Sequence, residues 1–132
     1  MTTKRKILLV LLPVLTLLMG FVPGAVRMRW QTNTEIIYTY HSYADLLPVG
    51  YANFTPLLTL ILTGILLILL LFWLYLDEGW TAVRILTVLA AGMAGVSFIL
   101  NLTGTGYFSA VGLVIFVLLA IQLITVFSAK RN

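Results

Sequence analysis

The side chains that could do chemistry in this chain are few, and they gather in one place. "HSYADLLPVGYANFTPLL", residues 41–58, brings an imidazole, a carboxylate, tyrosines and turn-forming residues together directly before a long apolar run. His41 and Asp45 stand four residues apart, a spacing that lets them meet across one helical turn as an acid–base pair. Such a pair works only with a nucleophile or bound substrate held in a pocket, and no such constellation accompanies it. Asp45 reads instead as a local cap or turn acceptor. With one histidine and no cysteine, the chain excludes disulfides, thiolate metal sites, cysteine nucleophiles and a multi-histidine metal centre. No enzymatic activity and no cofactor are expected. Asn53-Phe54-Thr55 and Asn101-Leu102-Thr103 match the glycosylation acceptor pattern, but both border apolar runs, where a transferase does not reach.

The elements that must position these residues are set by composition. Of 132 residues, 61% are apolar and only 9% charged, with a mean hydropathy of +1.10. A soluble domain carries about 25% charged residues, and a chain this short leaves too much surface exposed to hide so much apolar area from water. The bilayer is the expected solvent, and a single integral membrane domain fills the chain. The net charge of +4 forms no basic stripe, so no nucleic-acid partner is implied.

Crossing about 30 Å of hydrocarbon takes roughly 20 apolar residues in a helix. Residues 56–76, 84–102 and 107–127 meet that length; 7–22 is shorter and contains Pro13. The segment 1–24 also has the form of a signal peptide, basic and then apolar, with cleavage conceivable after Gly24. A retained helix is preferred, because Arg5 and Lys6 can snorkel to lengthen it and neighbouring helices can accommodate the proline. Basic residues set the orientation. Lys4, Arg5, Lys6, Arg84, Lys130 and Arg131 fall on one side, against Arg27 and Arg29 on the other. The expected location is therefore the plasma membrane, multi-pass, with both termini cytoplasmic and residues 23–53 outside. Asp77 or Glu78 is placed to pair with Arg84 across a short inner turn, and "TGTG" (103–106) reads as a tight outer turn.

The outer segment alternates with period two in "AVRMRWQ" (25–31) and "TEIIYTYH" (34–41), which reads as a β-hairpin. An odd-numbered loop would pair Trp30 with Ile36, Met28 with Tyr38 and Val26 with Tyr40, gathering an apolar face, with Asn33 suited to a left-handed backbone. An isolated hairpin is marginal in water, so Trp30, Ile36, Tyr38 and Tyr40 are candidates for binding a partner. Tyr43 joins them, and with Leu46, Leu47, Tyr51 and Phe54 it also reads as part of an interfacial collar re-entering the membrane.

Between the span ends there is no Asp, Glu, Lys or His, and Arg84 lies at the inner mouth, which counts against an ion-coupled carrier. Thr87, Ala90, Ala94, Ser97 and Asn101 recur at three- and four-residue spacing, and Ala91 with Gly95 forms a small-xxx-small pair. Such faces let helices approach closely. Thr59 and Thr63 make a similar patch. Gln122 sits at a depth from which it could bond to Thr87.

"YADLLPVGYANFTPLLT" (43–59) resembles stretches in small uncharacterised bacterial four-helix integral membrane proteins, a resemblance that implies topology and no activity. The layout of four spans, cytoplasmic ends and a first outer segment with strands also resembles the claudin family. In claudins that segment carries a tryptophan motif and a cysteine pair. Trp30 is present here, whereas the later tryptophans and both cysteines are absent, so claudin function is not carried over. The fold expected is an all-α four-helix membrane bundle with a short β-hairpin between its first two helices. The function expected is that of a non-enzymatic accessory protein, binding a membrane or envelope protein or a second copy of itself through residues 23–53. A small oligomeric pore or transporter subunit is the alternative, and a membrane enzyme using His41 and Asp45 the third reading.

Overall fold

Each apolar run forms a helix, and two of the boundaries have a local chemical cause. The computed structural model of the chain describes residues 3–31, 33–44, 55–104 and 108–128. These comprise helix α1 (Thr3–Met19), strands β1 (Val26–Gln31) and β2 (Ile36–His41), and helices α2 (Thr55–Leu76), α3 (Trp80–Gly104) and α4 (Ala110–Ser128). Asp45, most of the collar, the glycosylation pattern at Asn53, the turn at 105–106, and Lys130 and Arg131 lie outside the described residues.

Helix α2 stops where Asp77 takes a left-handed φ of 55° and its N–H returns to the Trp73 carbonyl at 2.7 Å. Aspartate tolerates that conformation better than most residues. Gly79, with φ of 90°, completes the reversal. Helix α3 can therefore begin at Trp80, earlier than the expected 84, and its indole meets that of Trp73 with centroids 4.6 Å apart. Ser109 starts α4: its hydroxyl accepts the Gly112 N–H at 2.9 Å, the N-cap bond that shifts the start from 107 to Ala110.

The helices pack in a ring in which α1 and α3 each touch α2 and α4. Short connections make α2, α3 and α4 antiparallel neighbours. Arg5 near the start of α1 donates to the carbonyl of Ser128 at 3.4 Å, which brings the two outermost described ends to the same end of the bundle. Three helices, α2, α3 and α4, are long and apolar enough to cross a membrane; α1 has 17 residues.

Beside apolar residues such as Leu66, Leu70, Ile115 and Leu119, the interior also buries polar side chains, although large apolar residues ordinarily fill a core. Thr16, Thr59, Thr63, Thr87, Ser97, Asn101 and Gln122 are buried, while Ile61, Ile68, Phe72, Ile85, Ile99 and Ile124 face outward. Most buried hydroxyls are satisfied within their own helix. Thr16, Thr59, Thr63, Thr87 and Thr125 each donate to the carbonyl four residues earlier, at 2.7–2.9 Å.

Gln122 does not reach Thr87. Its amide donates to the Leu9 carbonyl at 3.1 Å. The reason lies in α1: Pro13 has no N–H, so the carbonyl four residues before it, that of Leu9, has no helical donor. Gln122 supplies the missing bond from the neighbouring helix, whereas Thr87 is already committed to Val83.

Candidate partner-binding surface

The hairpin is tied to the helix ends by backbone groups that β-pairing leaves over. The Arg27 N–H meets Asn101 Oδ1 at 3.3 Å, and Asn101 in turn donates to the Ser97 carbonyl at 3.3 Å. The Ser109 hydroxyl donates to the Ala25 carbonyl while it caps α4, so one side chain fixes both the entry to β1 and the start of a helix. On the exit side the Ala44 N–H returns to the Gly20 carbonyl at 3.1 Å. Ala25 and Val26 are buried at this root, and beyond it the hairpin projects away from the bundle.

Tyr43 belongs to the root and not to the surface. It is 0% exposed, so its expected part in partner binding is corrected. Its hydroxyl enters a space that exists because residue 112 is glycine: a Cβ there would lie 3.0 Å from Tyr43 Oη and 2.9 Å from Ser109 Oγ. Tyr43 Oη and Ser97 Oγ are near neighbours but too poorly placed to hydrogen-bond. Burial raises the Tyr43 phenol above its ordinary pKa of 10.0.

The strands pair antiparallel as expected, but one residue out of the expected register. Val26 lies opposite His41, Met28 opposite Thr39, Trp30 opposite Ile37 and Gln31 opposite Ile36, which leaves a four-residue loop. With a loop of that length no left-handed tight-turn position is needed, and among the described residues Asp77 is the only non-glycine with positive φ, so Asn33 does not adopt it. The expected register would have gathered six apolar side chains on one face. That arrangement is favourable only if something covers the face, and the bundle covers little beyond Val26.

Polar partners decide the register instead. The Trp30 indole donates to Thr39 Oγ1 at 2.7 Å, and Thr39 Oγ1 contacts His41 Nε2 at 2.9 Å. His41 is thereby part of a chain of side chains along the hairpin. On the other face the Arg27 guanidinium lies 4.3 Å from the centroid of the Tyr38 ring, a cation–π contact. Ile36, Ile37, Tyr38 and Tyr40 all remain exposed, Tyr40 at 53%. Trp30 is half-buried and engaged with Thr39, so it shapes the hairpin while β2 presents the apolar surface.

The small-residue face of α3 lies inside. Ala90, Ala91, Ala94 and Ser97 are buried, as is Gln122 on α4. Gly95 is half-buried, and a Cβ there would meet the Phe116 ring of α4 at 3.2 Å, a tight contact at a point where these helices approach closely. Arg84 does not pair with Asp77 or Glu78; its guanidinium lies 4.6 Å from the centroid of Phe127. The sequence reading missed Ser109 and Gly112. A serine directly before an apolar run is a recognisable N-cap signal, but nothing local pairs Gly112 with Tyr43.

Compared with protein-family models, curated proteins and solved structures, the chain matches none of them.

Proposed function

We propose that this chain is an integral membrane protein, spanning four times with both termini cytoplasmic, that acts without enzymatic activity as an accessory subunit. It docks a membrane or envelope protein on the exposed face of its hairpin. The many isoleucines and phenylalanines left exposed along α2, α3 and α4, three helices long and apolar enough to cross a membrane, support the membrane setting. Helix α1 reaches about 26 Å at 1.5 Å per residue, a little short of the roughly 30 Å of hydrocarbon. Lys4, Arg5 and Lys6 at its end can snorkel across the difference. The Gln122–Leu9 bond supports retention of α1 as a member of the bundle, since Gln122 would otherwise lose its partner. The basic residues Lys4, Arg5, Lys6 and Arg84 share the end opposite the hairpin, which supports the orientation.

The observation that carries the docking role is the exposure of Ile36, Tyr38 and Tyr40, which share one face of β2, while Ile37 lies on the opposite face beside Trp30. Aromatic residues held on a rigid strand suit them to a protein interface. The own-helix bonding of the interior threonines favours this reading over a pore, because it uses the donor of each hydroxyl within its own helix. The experiment is affinity purification from native membranes in mild detergent, comparing wild type with Ile36→Ala/Tyr38→Ala. Loss of a stoichiometric second protein, with membrane insertion intact, is the expected result. An unchanged complex in the double variant would refute the docking role. A homo-oligomer alone would favour the pore reading.

A further inference from the structure

Arg84 sits in the second turn of α3 at the basic end of the bundle, with no carboxylate partner among the described residues. Its guanidinium lies over Phe127 of α4. An arginine stacked on a ring keeps its in-plane N–H groups free to donate, in the planar fork that matches phosphate oxygens. Beside it runs an open groove of about 360 Å³, lined by Thr81, Arg84, Ile85, Val88, Leu89 and Phe127. One end of this groove carries a cation and a hydroxyl, close to the positive end of a long helix. The rest is hydrocarbon, and Ile85, Val88, Leu89 and Phe127 are all exposed.

We propose that this groove is a binding site for an anionic phospholipid. Arg84 and Thr81 hold the phosphate, and an acyl chain lies along Ile85, Val88, Leu89 and Phe127. The inference rests on the membrane reading given above and adds a ligand class and residues to it. Charge complementarity selects the occupant, since an unpaired guanidinium above an apolar channel matches an anionic head above a hydrocarbon tail. A second groove of about 480 Å³ between α1 and α2 carries Lys6 above Val10, Leu11, Leu71 and Leu74. There the cation is an exposed ammonium with no ring to orient it, which makes Lys6 the natural comparison: it has the same charge at the same end, without the fork.

The test is native mass spectrometry of the full chain released from mild detergent, titrated with phosphatidylglycerol or phosphatidylcholine. The protein is first checked for resistance to alkaline extraction from membranes; extraction at that step would refute the membrane reading and the lipid site with it. In protein that passes, one phosphatidylglycerol is expected to bind in preference to phosphatidylcholine. Arg84→Gln is expected to weaken that binding about five-fold, the factor that corresponds to one cation at an anionic surface. Lys6→Gln is expected to leave it nearly unchanged. Equal loss in the two variants, no preference between the lipids, or unaltered binding in Arg84→Gln would each overturn the site. Should Arg84→Gln fail to fold, Arg84→Lys keeps the charge and loses the fork; weaker binding supports the proposal and unchanged binding refutes it.

Discussion

Replacing Gln122 by leucine should destabilise the bundle only while Pro13 is present. Both Leu9 and Gln122 are 0% exposed, and the bond between them is 3.1 Å long. Removing the amide strands the Leu9 carbonyl, which Pro13 has deprived of a helical donor. An unsatisfied buried acceptor costs about 1–3 kcal/mol, whereas side-chain bonds inside membranes average about 0.6 kcal/mol and reach about 1.7. The loss is moderated because Gln122 Oε1 has no partner, so leucine also removes one unsatisfied oxygen. A net cost of about 1–2 kcal/mol follows from these ranges. In a Pro13→Ala background the new N–H serves Leu9, and the same substitution should cost close to nothing. The difference, about 1–2 kcal/mol of coupling, is measurable by a double-mutant cycle. Reversible unfolding in mixed dodecylsulfate micelles, followed by far-ultraviolet circular dichroism, supplies the four stabilities. An equal loss with and without Pro13 would refute the assignment of Gln122 as the proline's compensating donor.

Three further outcomes are expected. Gly112→Ala should destabilise by about 1–3 kcal/mol through overpacking, and Tyr43→Phe should recover part of it in the same unfolding assay, because the added methyl lies 3.0 Å from the phenol oxygen. Ser109→Ala should cost about 1–2 kcal/mol as a lost cap, and hydrogen exchange at the start of β1 should quicken, because the Ala25 carbonyl loses its donor. Tyr43 has a phenol pKa raised by burial, so its contribution is whole below about pH 10 and is lost as pH rises through the higher folded value; Tyr43→Phe should flatten that alkaline loss in a stability-against-pH titration.

Much of the architecture was legible because it depends on local composition. Runs such as "LLTLILTGILLILLLFWLYL" have one low-energy form where water is absent, and small residues at three- and four-residue spacing mark the face that neighbours approach. The hairpin was legible for the same kind of reason, since period-two alternation is a property of adjacent residues. Its register was not. Alternation fixes which side chains of one strand share a face but leaves open which face of the other strand meets them. Here the choice went to the register that lets Trp30 donate to Thr39, over one that gathered apolar groups with nothing to cover them. The candidate surface shifted accordingly: Ile36, Tyr38 and Tyr40 stay outside, and Tyr43 turns in.

By itself, then, the sequence determined the helices, the polarity of charge between the two ends and the presence of a projecting hairpin, because each follows from neighbours along the chain. Tertiary structure alone decided that Gln122 completes the helix broken at Pro13, that Ser109 holds Ala25, and that Gly112 admits Tyr43. Each of these joins groups about seventy or more residues apart. A buried polar atom takes the partner that packing brings within reach, and no local pattern encodes that distance.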